Sequence, residues 1–129
     1  MSTHYPKEVI EHFLHPKNLG RIKNASGVGD TENLRCGDIM RIYIKVKKEK
    51  DREIIEDIKF ETMGCAAAIA ASDMICQLVK GKTLEEALKI GYKDISHKLG
   101  DLPPIKIHCA QLAQTALRMA ITNYQKKKK

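Results

Sequence analysis

Three short stretches of the chain set a thiol beside a second chemically useful feature. The first, Cys36-Gly37-Asp38, places a thiol and a carboxylate two residues apart, and extended backbone points such residues to the same side. Gly37 removes the side chain between them and permits unusual backbone angles, so that another group can approach. The same tripeptide also suits an ordinary turn in which Asp38 satisfies backbone amides, and three residues alone do not choose between the two. The second, Gly64-Cys65, precedes an alanine-rich run. A thiol at a helix N-terminus feels the positive end of the dipole and free N–H groups, which favour thiolate. Ala66, Ala67 and Ala68 leave room for something bulky beside the sulfur. The third, His108-Cys109, follows Pro103-Pro104 and Lys106, a cation able to hold a thiolate or persulfide. Neighbours on a helix diverge by about 100° yet can border one pocket, while Cys109 also continues an apolar stripe and reads equally as core.

The fourth cysteine, Cys76, lies eleven residues after Cys65. That is about three helical turns, ~16 Å, too far for one metal whose bonds to sulfur are ~2.3 Å. Among Ile75, Leu78 and Val79 it reads as core. The other three thiols have none of the close CxxC spacing of a zinc ribbon or ferredoxin, so a shared site must assemble from distant segments. Soft thiolates point to zinc or an iron–sulfur cluster. A carboxylate among them is a harder, weaker partner for iron, suited to a cluster that is given up.

The elements that must position these groups are legible. Residues 6–15 form a helix with Val9, Ile10, Phe13 and Leu14 as its apolar face, stopped by Pro16. Residues 17–38 read as loop with a short edge strand. Met40, Ile42, Ile44 and Val46 alternate with polar residues as a strand with one buried face. The turn Lys48 to Arg52 leads to a second strand across Ile54 to Thr62. Helices follow over Ala66 to Val79, after a Thr83/Glu86 capping box, near Asp94 to Leu99, and from Pro104 to about Tyr124. Strands first and helices after imply an α+β domain: a small antiparallel sheet of about three strands covered by helices, with a long C-terminal helix. One domain over 1–125 and a disordered lysine tail over 126–129 account for the chain.

Composition removes several classes. The 129 residues carry a net charge of +7, but the block Lys126 to Lys129 supplies more than half of that excess. Two Phe, four Tyr and no Trp offer no stacking platform, which argues against nucleic acid. No apolar run suits a membrane helix or signal peptide, so the expected compartment is the cytoplasm, and dispersed cysteines there bind metal, react or fill the core.

The chain resembles the iron–sulfur cluster assembly scaffold family of the IscU/NifU N-terminal type. The resemblance rests on Tyr5 to Gly20 (YPKEVIEHFLHPKNLG), Cys36-Gly37-Asp38, Thr62 to Ser72 (TMGCAAAIAAS), Gly81-Lys82-Thr83 and Leu102 to Cys109 (LPPIKIHC), in that order. It implies a non-enzymatic scaffold that builds a labile [2Fe–2S] cluster from iron and from sulfur supplied by a cysteine desulfurase, then passes it to apo-proteins. It implies Cys36, Cys65, Cys109 and Asp38 as ligands and His108 as an alternative ligand. Cys109 becomes the sulfur acceptor, assisted by Lys106. It further implies an iron donor or ferredoxin and a heat-shock chaperone pair docking on Leu102, Pro103, Pro104, Ile105 and Lys106. The scaffold would be a monomer or a cluster-sharing dimer, with Zn²⁺ as a possible substitute in the site. The alternative is a zinc-binding sulfurtransferase partner that accepts persulfide. Where the family commonly has Gly and Ser after the second cysteine and a Ser-Ser pair further on, this chain has Ala66, Ala67 and Ser72-Asp73.

Overall fold

The structure is a computed structural model that describes residues 5–33 and 37–127. Its elements run α1 (Lys7–Leu14), β1 (Gly27–Asn33), β2 (Asp38–Glu49), β3 (Arg52–Met63), α2 (Ala66–Val79), α3 (Leu84–Leu88), α4 (Tyr92–Lys98), a 3-10 turn at Pro104–Lys106, and α5 (Ile107–Lys127). The strands form one antiparallel sheet in the order β1-β2-β3, the α+β architecture that the order of the elements implies.

The two-residue period of β2 puts Met40, Ile42 and Ile44 in the core and leaves Ile39 and Arg41 exposed. Lys50 and Asp51 close the β2–β3 hairpin with φ of 50° and 67°, the left-handed pair that matches the twist of the flanking strands. A register shift between Lys45 and Val46 sets Val46 opposite Ile55, and Ile54 and Ile55 are both buried beyond it.

β1 (GVGDTEN) carries almost no hydrophobic signal and is held by its glycines. A Cβ on Gly27 would lie 2.2 Å from the Ala120 carbonyl oxygen, and one on Gly29 would lie 2.1 Å from that of Ala116. The strand backbone therefore rests on the backbone of α5, a separation only glycine permits. α5 buries Cys109, Ala110, Ala113, Ala116, Leu117, Ala120 and Ile121, close to the expected stripe, with Leu112 only partly covered. It continues through Lys126 and Lys127, where a tail was expected. Cations in a last turn complement the negative end of the helix dipole. Lys128 and Lys129 lie outside the described residues.

α2 is buried on most sides, from Ala70 through Cys76 without a break, because α1, α5, α4 and β3 all pack around it. α1 departs from its expected orientation. It turns Val9 inward and leaves Ile10, Phe13 and Leu14 at 46%, 40% and 60% exposure. A polar tie on its inner side decides this: His12 Nδ1 lies 2.6 Å from an Asp73 carboxylate oxygen of α2. The expected capping box closes α3, with Thr83 Oγ1 accepting from the Glu86 amide at 3.1 Å and Glu86 Oε1 from the Thr83 amide at 3.0 Å. No helix among the described residues is long and apolar enough to cross a membrane.

Candidate metal centre

Antiparallel pairing places the start of β2 beside the end of β3, with Ile39 opposite Met63. α2 begins three residues after β3 ends, and the first turn of α5 reaches the same sheet end. Three sequence-distant segments are thereby brought to one place. Asp38 comes from β2, Cys65 is the N-cap of α2, and His108 and Cys109 sit in the first turn of α5. Asp38 shares the core-facing register of Met40 and Ile42 and is 5% exposed, while Cys109 is fully buried.

Cys109 is the hub. Its Sγ lies 3.8 Å from Cys65 Sγ, 4.0 Å from Asp38 Oδ2 and 3.5 Å from His108 Nε2. His108 Nε2 in turn lies 3.4 Å from Asp38 Oδ2, and Asp38, His108 and Cys109 offer ligand atoms within 4.8 Å of one another. One sulfur, one oxygen and one nitrogen thus cluster, and the Cys65 sulfur adjoins them through Cys109, a donor set suited to zinc or to iron bound through thiolates. The adjacent residues His108 and Cys109 do border one pocket, as their positions on a helix allow. Cys36 lies outside the described residues.

The two thiols differ in character. A hydrogen bond from the Cys109 thiol holds the pKa of Cys65 down to about 5 against the cost of its partial burial, with help from the Ala68 and Ala67 amides and the Lys106 charge. The helix-terminal setting works as the sequence implies, although no amide makes a formal cap bond to the sulfur. The same bond, followed by burial, pushes Cys109 well above the ordinary thiol range. Cys65 is therefore the sulfur of the pair that loses its proton more readily. Lys106 lies close enough for its charge to act on both Cys65 and Tyr5, and its own pKa is raised, chiefly by the Cys65 charge. Cys76 is fully buried, and desolvation drives its pKa well up, in keeping with a core role.

A consequence is testable by alkylation. At pH 7 iodoacetamide is expected to label Cys65 well before Cys109 or Cys76, because the thiolate is the nucleophile. Its rate should fall only as the pH drops through about 5 and the sulfur is protonated. Peptide mapping by mass spectrometry reads this directly, and equal labelling of Cys76 without denaturant would contradict the assignment.

Two features, Gly64 and Asp73, were not legible in the sequence. Gly64 makes room for the carboxylate, since a Cβ there would sit 2.8 Å from Asp38 Oδ1 and 3.0 Å from the Ala68 Cβ. Its only signal was a glycine directly before a cysteine. Gly37 takes a φ of +70°, and among the described residues nothing lies within 4 Å of a Cβ there, so its backbone freedom is used. Asp73 is buried, with Oδ1 accepting from the amides of Lys17 and Asn18 at 3.0 and 2.9 Å and from Asn18 Nδ2 at 3.0 Å, and Oδ2 taking the His12 contact. This tie fastens α1 and the chain after it to the helix that carries Cys65.

The sequence model for the NifU-like N-terminal domain matches residues 4–129. The chain belongs to that family. Among NifU-like proteins it is 53% identical to the iron-sulfur cluster assembly scaffold protein IscU 1 of Archaeoglobus fulgidus over 123 residues, covering 95% of this chain and 78% of that one. It is 48% identical to the IscU scaffold protein of Aquifex aeolicus, over 96% of this chain and 78% of the relative. Its fold is similar to a crystal structure of a putative iron-sulfur cluster assembly scaffold protein from Fervidobacterium islandicum. That similarity has a TM-score of 0.69 and 25% identity, and covers 91% of this chain and 96% of the other.

Proposed function

We propose that this NifU-like chain is a scaffold on which an iron–sulfur cluster is assembled and from which it passes to recipient proteins. The observation that carries the reading is the clustering of Cys109, Asp38 and His108, with Cys65 beside Cys109, from three segments of the chain. The names of the relatives support it and do not favour the zinc sulfurtransferase reading. The chain itself performs no catalysis; the cluster is its cargo.

In the finer form, Cys36, Cys65 and Cys109 supply thiolates to a [2Fe–2S] cluster and Asp38 supplies the weaker oxygen donor that makes it labile, with His108 able to take that position. Zn²⁺ would fit the same mixed donors in the absence of iron. Sulfur arrives from a cysteine desulfurase. Cys109 is the proposed sulfur acceptor, while in the empty site Cys65 has the lower pKa and the Lys106 charge near it. A persulfide formed at Cys65 would meet Cys109 at 3.8 Å. The segment Leu102 to Lys106 is proposed to dock a chaperone. There Ile105 is 75% exposed while Leu102 is buried, so the middle of the segment is what a partner can grasp.

Anaerobic reconstitution with iron and sulfide is expected to give [2Fe–2S] absorption that an apo-ferredoxin then bleaches as it takes the cluster. Asp38→Ala should lengthen the life of the bound cluster severalfold, because the weak oxygen donor is gone. No absorption in the parent protein would sink the scaffold reading. Faster loss from Asp38→Ala would sink the role given to the carboxylate.

A further inference from the structure

The far end of α2 carries a second surface of different chemistry. Two depressions of about 540 and 490 Å³ adjoin there and share Lys17 and Gln77. His12 and His15 border the first, and Lys59 and Lys80 border the second. Lys80 is the C-cap of the helix whose N-cap is Cys65, which puts the surface roughly 22 Å from the metal centre at ~1.5 Å per residue.

The local acids are already engaged. Glu11 pairs with Lys7 at 3.9 Å and Asp57 with Lys80 at 3.5 Å. The Asp73 oxygens are taken by His12 and by Lys17 and Asn18. The ammonium groups of Lys17 and Lys59 have no ion pair or hydrogen bond among the described residues. Of the three lysines around the second depression Lys80 already has Asp57, while Lys17 and Lys59 repel one another unless an anion is shared between them. Two depressions joined at Lys17 make a furrow, longer than one small anion fills. Lysines are point charges on flexible stems, suited to carboxylates spaced along a chain and not to one planar group held by a fork. No Phe, Tyr or Trp lines either depression, so stacked bases find no platform.

We infer that this furrow docks an acidic segment of a partner protein. The interaction itself does not depend on the scaffold reading; that reading adds only its purpose, since a partner held here leaves the metal centre uncovered for cluster assembly or delivery.

The test is fluorescence anisotropy of a labelled hexaglutamate peptide with the full chain at low salt. Binding is expected, and K17Q/K59Q/K80Q should weaken it by roughly tenfold, as should raising the salt. The control K126Q/K127Q should leave it within about twofold, since those lysines lie outside the furrow. Equal loss in the control would mean that net charge alone attracts the peptide, and would overturn the proposal. So would equal displacement by an equivalent concentration of inorganic phosphate, or tighter binding of a single-stranded oligonucleotide through the same three lysines. Circular dichroism and the cluster yield of the triple variant, expected to match the parent, separate a lost surface from a lost fold. If the parent chain built no cluster yet bound the peptide in this way, the scaffold reading would fail and the furrow would stand.

Discussion

Cys109→Ala is expected to cut the cluster yield of anaerobic reconstitution by at least roughly tenfold, while Cys76→Ala leaves the yield unchanged. Cys109 Sγ lies within 4.0 Å of Cys65, Asp38 and His108, so its removal opens the middle of the donor set. Cys76 is as fully buried but lies within the body of α2, among other core residues, and its loss touches only packing. The substitution carries a second, independent signature. The Cys109 thiol is the largest contributor to the low pKa of Cys65, so without it that pKa should rise and the alkylation profile of Cys65 should move to higher pH. A normal yield of labile cluster from Cys109→Ala would remove this residue from the site. An unchanged Cys65 profile would show that the two sulfurs do not share a proton.

Gly29→Val should be among the most damaging single substitutions in the chain, costing about 3–5 kcal/mol or preventing folding. The new Cβ would lie 2.1 Å from the Ala116 carbonyl oxygen and 2.4 Å from the Ala120 nitrogen. Both are backbone atoms of α5, so no rotamer change relieves the clash. The damage would reach function, because the strand that leads toward Asp38 would be pushed off the helix that carries His108 and Cys109. Gly37→Ala is the informative comparison. Its φ of +70° strains any other residue, but among the described residues nothing lies within 4 Å, so the cost should be only about 1–2 kcal/mol. Urea unfolding of both variants decides the matter. A Gly29→Val midpoint close to the parent's would mean that β1 does not rest on α5 as described.

The alternation in β2, the alanine-rich run of α2 and the Thr83/Glu86 box were legible because each is a local pattern, written within a few residues of itself. The same holds for Cys76 as core and for Cys65 at a helix N-terminus. β1 was hardly legible. Its two key residues are glycines that act by what they lack, against a helix about ninety residues further on. The outward turn of Ile10, Phe13 and Leu14 was missed for a related reason. An apolar stripe looks core-facing in sequence, but the His12–Asp73 tie, made across sixty-one residues, sets which side of α1 faces in. Asp73 itself gives no local signal, since a single acid in a helix usually faces water.

By itself the order of residues determined which groups were available for chemistry, the kind of backbone each would sit on, and the resemblance to cluster scaffolds. Those are matters of residue type and short-range period, and they survive without coordinates. Tertiary structure alone decided that Asp38, His108 and Cys109 cluster with Cys65 beside Cys109, that this contact lowers the pKa of Cys65 and raises that of Cys109, and that Lys17, Lys59 and Lys80 gather at the opposite end of α2. Distances between remote segments, and the burial and charge that follow from them, arise only when strand pairing and helix packing bring the chain together.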